Sequence, residues 1–222
     1  MRNRVLSSAA LVLALAVCVW AGKEFMLPRA FPAKTYPAHD EHPMEKVTIA
    51  ADPYDLADKA SIFTVNYADH EFMPIYFIVT NDSDQPISLG DMKVQLNFRD
   101  RSKAAPARLD DILRRITVIK QRGGEIPRSY PIPLPKKQKG GIPKGALDEL
   151  DKAMFKARAV EPHGTQAGFF FFDIEGLKNP LNGATLYVTD VKDNNGKELM
   201  YFEIPLEKYL SYTPPKTPEQ PK

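Results

Sequence analysis

Gln166-Ala167-Gly168-Phe169-Phe170-Phe171-Phe172-Asp173-Ile174 is the stretch that decides the fold. Read as a strand, it sends alternate side chains to opposite faces, so two phenyl rings point each way. A strand with one wet face would not place two Phe in water. This strand is therefore expected to be buried on both sides, hence central and covered. Met73-Pro74-Ile75-Tyr76-Phe77-Ile78-Val79 also carries apolar groups on both faces and earns the same reading. Two alternatives stay open: a core strand with a partly exposed outer face, and an uncovered aromatic face in which Phe169, Phe170, Phe171 and Phe172 meet an apolar partner.

Working outward, strand-like runs rich in Val, Ile, Phe, Tyr and Thr lie at Lys46–Ala50, Ile62–Tyr67, Pro74–Thr80 and Met92–Phe98. The last alternates cleanly, with Met92, Val94, Leu96 and Phe98 on one face. Asn81-Asp82-Ser83-Asp84 is a polar turn after the strongest strand. Strands resume at Gln166–Ile174, Ala184–Val191 and Glu198–Leu206, and Asp193-Asn194-Asn195-Gly196 predicts a hairpin between the last two. Short antiparallel strands of this kind predict a mainly β protein, an immunoglobulin-like antiparallel β-sandwich over 46–212.

Residues 99–158 interrupt it as a helical, Pro-rich insertion. Leu109, Ile112, Leu113 and Ile116 form a helical stripe, with Asp110–Arg114 and Asp111–Arg115 as i,i+4 pairs. A second helix is expected from about Lys144 to Ala157, with Leu147, Leu150 and Met154 inward. Between them, Gly123-Gly124, Pro127, Pro131, Pro133, Pro135 and Gly140-Gly141 forbid a regular helix or central strand. These two helices, or the Pro-containing leader at 22–45, are the expected cover for the Phe strand. A disordered, Pro-rich tail is expected at 213–222.

Length and composition bound the class. A chain of 222 residues that is 43% hydrophobic is not disordered, and one Cys cannot build a disulfide scaffold. Arg2 and Arg4 precede an apolar run from Val5 to Ala21, which reads as a signal peptide cleaved after Ala21. The alternatives are an uncleaved anchor, or a lipid anchor on Cys18, whose Leu15-Ala16-Val17-Cys18 resembles a lipobox with Val17 in a place usually held by a small residue. After cleavage the chain has no stable transmembrane span, and an extracytoplasmic location, periplasmic or secreted, is expected.

The formal charge of +2 hides an asymmetry. Residues 99–158 hold 16 Lys and Arg against 7 Asp and Glu, while the rest of the mature chain holds 12 against 21. Three readings follow. The insertion docks in cis on the acidic β-domain; or it offers Arg114, Arg115, Arg122, Lys136, Lys137 and Lys139, with Arg99, Arg101, Lys103, Arg108 and Arg128, to an anionic partner; or the charge run is simply solvated. The partners expected are an envelope protein, a polysaccharide or an anionic lipid surface. Nucleic acid is not expected outside the cytoplasm.

Candidate chemistry is sparse. His39-Asp40-Glu41-His42 offers metal-ligand types on a Pro-rich leader and reads as a solvated turn. Asp52-Pro53-Tyr54-Asp55 with Asp58 lacks calcium-loop spacing, and Asp55 reads as a helix cap. No nucleophile elbow or phosphate-loop pattern is present. No catalytic residue, cofactor or metal site is assigned. Asn81-Asp82-Ser83 is a glycosylation sequon that fits a surface turn.

Two stretches carry a resemblance. Phe72-Met73-Pro74-Ile75-Tyr76-Phe77-Ile78-Val79-Thr80-Asn81-Asp82-Ser83-Asp84-Gln85-Pro86-Ile87-Ser88-Leu89 resembles the signature strand and turn of bacterial extracytoplasmic immunoglobulin-like domains. Glu161-Pro162-His163-Gly164-Thr165-Gln166-Ala167-Gly168-Phe169-Phe170-Phe171-Phe172-Asp173 resembles the start of a later strand in them, with His163 standing between Pro and Gly. The resemblance implies an immunoglobulin-like sandwich outside the cytoplasm, in a family of unknown function, and implies no catalytic residues.

The expectation is a non-enzymatic binding or structural module of a bacterial cell envelope. The alternatives are an assembly or chaperone-like factor with an apolar groove at Phe169–Phe172, and a metal-dependent hydrolase built on His39, His42, Asp52 and Asp55.

Overall fold

The computed structural model of the chain describes residues 25–122, 141–143 and 145–210, the side chains of 118–122 excepted. The signal peptide read at 1–21 with Cys18, and the tail read at 213–222, lie outside the described residues. The protein is mainly β, with antiparallel sheets and a few short helices. In chain order the elements are β1 (His39–His42), β2 (Val47–Pro53), α1 (Ala57–Ala60), β3 (Phe72–Asn81), β4 (Ile87–Ser88), β5 (Lys93–Asn97) and β6 (Lys103–Ala104). They continue as α2 (Leu109–Arg122), α3 (Ala146–Ala153), β7 (Ala159–Val160), β8 (Gly164–Asp173), β9 (Thr185–Thr189), β10 (Phe202–Pro205) and α4 (Glu207–Leu210).

Two four-stranded sheets, ordered β1-β2-β3-β8 and β10-β9-β5-β6, share one core. The ladder between β3 and β8 runs ten residues, from Phe72 opposite Asp173 to Asn81 opposite Gly164. Alternation then sorts side chains between two cores. Met73, Ile75, Phe77 and Val79 of β3 and Phe172 of β8 face the second sheet, where they meet Val94, Leu96, Leu186, Val188, Phe202 and Ile204. Phe72, Tyr76 and Ile78, with Phe169 and Phe171, face the other way into a second core. Phe170 packs half-buried against the first. The Phe run is thus packed on both faces, with Phe170 alone partly exposed.

The second core is roofed by the pieces the sequence nominated and one it did not. Phe25 and Ala33 come from the leader, Ile112 and Ile116 from α2, and Ala146, Leu150 and Ala153 from α3. Phe63, Val65 and Tyr67 come from the 61–67 segment. That segment was expected to be a strand and is irregular. Its alternating apolar residues do point inward, but the Thr64 amide donates to the Glu149 carboxylate, not to a neighbouring strand.

Several other expectations change. β8 is not central; it closes one side of its sheet. Its outer edge is nonetheless occupied by the insertion. The Ala107 amide donates to the Phe171 carbonyl (2.7 Å) and the Phe155 amide to the Phe169 carbonyl (3.0 Å). An edge that would invite strand addition from another chain is thereby used internally. The leader is not merely extended, since His39–His42 form a strand paired with β2, not a solvated turn. The last strand starts at Phe202, later than Glu198, because the Asp193–Gly196 turn closes its own small loop through a bridge between Lys192 and Glu198. α3 is shorter than expected and turns Leu147 out to 51% exposure while burying Glu149 at 2%.

Gly168 permits the close approach of the insertion. A Cβ there would sit 2.6 Å from Phe155 Cα and 2.8 Å from its nitrogen, both backbone atoms that cannot rotate away. Gly168→Ala should destabilise the fold by about 1–3 kcal/mol by overpacking. Gly90→Ala, whose Cβ meets only Ser88 Oγ at 3.7 Å, should cost far less. Urea denaturation of the two variants against the parent checks this; equal losses would mean that the approach is not tight.

Candidate functional site

The insertion meets the end of β8 along a cleft of about 590 Å³. Pro106-Ala107 runs beside β8, so the chain must turn there into α2, and the first turns of that helix face the strand. Glu71, Phe72, Arg108, Arg114, Arg115 and Asp173 line the cleft. Ile112 and Ile116 point into the core, and the helical period then leaves Arg115 on the flank. There its Nη1 bonds Asp173 Oδ1 at 2.8 Å, its Nη2 reaches the second oxygen, and Glu175 lies at 3.5 Å. The guanidinium also sits 4.6 Å from the Phe72 ring centre, a cation–π contact. The hydrogen bonds from Arg115 hold the Asp173 carboxyl below its ordinary range.

Both expected i,i+4 pairs are therefore replaced. Arg115 reaches across to β8, and Arg114 takes Asp111 one turn earlier, at 3.3 Å. Of the predicted anionic-partner patch, Arg114 is exposed and Arg115 half-buried. Arg122 ends α2 with its side chain outside the described residues, where Arg128, Lys136, Lys137 and Lys139 also lie. Arg99, Arg101, Lys103 and Arg108 are exposed and make no ion pair among the described residues. Among the described residues, the ionic part of docking in cis rests on Arg115, while the basic residues before α2 make no ion pair.

The predicted apolar partner residues are core. Phe169, Phe171 and Phe172 have no exposed surface, and Phe170 packs on Phe77 and Phe155 at 5.1 and 5.4 Å. Asn81 is fully buried as well. Its amide donates to the carbonyls of Gln85 and Val160, and its oxygen accepts from Ser83, so the sequon is an internal clasp, not a surface acceptor.

The candidate metal ligands are dispersed. Among the described residues no group of three or more His, Cys, Asp and Glu gathers to hold an ion. His42 stacks on Phe202 at 3.9 Å and pairs with Glu45, while the His39 ring meets the Tyr36 carbonyl. Asp52 pairs with Lys59, and Asp55 accepts from the Tyr209 hydroxyl and caps nothing.

Glu149 is the residue that sequence reasoning missed. Its carboxylate accepts from the Thr64 amide and hydroxyl, each at 2.6 Å, and from the Tyr67 hydroxyl at 2.9 Å. Burial, with Glu149 beside it, pushes the Tyr67 phenol far up. These contacts clamp α3 to the 61–67 segment. Their partners lie over eighty residues away in sequence, so no local signal marks them.

No protein-family model matches the chain, and no curated protein matches it. Among solved structures the chain is similar to a conserved hypothetical protein from Bacillus anthracis, at 13% identity over 72% of this chain and 89% of that one, with a TM-score of 0.29. No helix among the described residues is long and apolar enough to cross a membrane.

Asp173 gives the Arg115 contact a pH signature. A carboxyl held low when folded stabilises above its unfolded value of 3.8, and that contribution fades as pH falls through the folded value. Arg115→Met should cost about 0.5–1 kcal/mol at pH 7, since solvent screens the half-exposed pair. The cost should shrink as pH falls from 3.8 through the lowered folded value, where the carboxyl protonates. Urea melts of parent and variant at pH 7 and across that fall measure it; a loss independent of pH would assign the effect to packing on Phe72.

Proposed function

We propose that the protein is a non-enzymatic, extracytoplasmic binding module of a bacterial cell envelope. It meets an anionic partner with the exposed basic residues of its inserted segment. The observation that carries the reading is Arg99, Arg101, Lys103 and Arg108, exposed and without ion pairs among the described residues, on a segment pinned to β8. A rigid array of unneutralised cations attracts anionic surfaces without needing a shaped pocket. The charged run ahead of Val5 and the apolar run behind it support export.

An immunoglobulin-like sandwich is the fold class of this reading. The strand orders β2-β3-β8 and β10-β9-β5-β6 support this reading, in which they would be strands A-B-E and G-F-C-C′. The alternative, an assembly factor using Phe169–Phe172 as a groove, requires α2 and α3 to leave the second core first.

Co-sedimentation of residues 22–222 with vesicles tests the proposal. Vesicles containing phosphatidylglycerol, or beads carrying an anionic polysaccharide, should retain the protein at low salt and release it at high salt. Arg101→Glu with Lys103→Glu and Arg108→Glu should weaken retention about a hundredfold or more. Equal retention on neutral phosphatidylcholine vesicles would contradict it.

A further inference from the structure

A second concavity of about 530 Å³ lies where β2 ends, and none of its described lining residues belongs to the basic insertion. Tyr36, Asp52, Asp55, Leu56, Lys59 and Tyr209 line it. The Lys59 ammonium sits inside an aromatic cage, 4.8 Å from the Tyr54 ring centre and 4.6 Å from that of Tyr209. It donates to Asp52 Oδ1 at 2.5 Å and to the Pro53 carbonyl at 2.9 Å. The Tyr209 hydroxyl donates to Asp55 at 2.9 Å, which fixes the ring that forms one wall.

Three features mark this as a place for a cation with an apolar body. Electron-rich ring faces and a carboxylate together attract ammonium groups, most strongly where water is excluded. Asp52 is paired with Lys59, while Asp55 accepts from the neutral Tyr209 hydroxyl, so the lining carries two carboxylates and one ammonium. Burial holds the Asp52 carboxyl above its ordinary range, although the hydrogen bond from Lys59 acts the other way. At the rim, Leu56 and Leu210 are 58% and 50% exposed, apolar surface set beside a charged cage.

A ligand that enters the cage must displace Lys59. That residue rides on α1, a single turn that buries none of its residues, and the opposite wall comes from α4, which buries none either. Its side chain is long enough to swing into solvent.

We propose that this pocket binds an organic ammonium ion, with Lys59 filling the tyrosine–carboxylate cage when no ligand is present. The ligand class is a primary or quaternary ammonium on a short apolar stem. The inference shares no residue with the anionic-partner reading, so each can fail alone.

Choline is the probe, and 3,3-dimethylbutan-1-ol is its uncharged isostere. Tyrosine-ring NMR shifts of residues 22–222 report occupancy. Choline should shift Tyr36 and Tyr209, and the isostere should not. Lys59→Met should bind choline about tenfold more tightly, because the internal cation no longer competes. Asp55→Asn should weaken binding. Should Lys59→Met not fold, Lys59→Gln keeps a hydrogen bond to Asp52 and gives the same comparison. Equal shifts with both probes, or no shift with choline in either the parent or the Lys59 variant, would overturn the proposal.

Discussion

Phenylalanine at four consecutive strand positions forces dry surfaces on both sides of one sheet. The rest of the structure follows from that demand. The second sheet dries one face, through Phe172, Phe77 and the inner residues of β5, β9 and β10. Nothing in a two-sheet sandwich dries the other. The inserted segment, the leader and the 61–67 segment are gathered there to roof Phe169, Phe171, Tyr76 and Phe72. Burial of each such ring contributes on the order of 2–3 kcal/mol, enough to order segments that have little regular structure of their own.

Apolar contact alone does not fix how the roof sits. Three polar attachments do. The Ala107 and Phe155 amides pair with the free edge of β8, the buried Glu149 carboxylate holds Thr64 and Tyr67, and Arg115 forks onto Asp173. A buried carboxylate with three donors is satisfied, and losing one would leave a buried acceptor short of a hydrogen bond, which is costly. These bonds make the insertion a layer of the domain.

What could be read from the residues was whatever period and local chemistry encode. The alternation of Met92 to Phe98, the stripe Leu109, Ile112, Leu113 and Ile116, and the two-faced Phe run each placed an element and its buried face. The misreadings share one cause: a distant partner overrode a local pattern. Ile62–Tyr67 alternates like a strand, yet its amide at Thr64 was taken by Glu149 of α3. Of the residues expected inward on that helix, Leu150 is buried, but Leu147 turns out because Thr64 and Tyr67 draw Glu149 in. Arg115 left its helical neighbour Asp111 for Asp173, a stronger bidentate partner. The candidate site was half legible. The basic run and the carboxylates at Asp52 and Asp55 were visible, whereas the cage that Tyr54 and Tyr209 build around Lys59 joins residues some 150 apart.

The charge asymmetry takes on a spatial meaning in this light. The insertion is held to the acidic domain mainly by backbone pairing and apolar packing, so most of its described cations before α2 remain available to the surface. That account depends on the insertion being a permanent layer. Native-state hydrogen exchange at the Ala107 and Phe155 amides tests it directly, because these two donate to β8. Protection equal to that of the β3 amides is the predicted result. Exchange at the rate of an open loop, with β3 still protected, would show the roof lifting from the Phe strand and would contradict it.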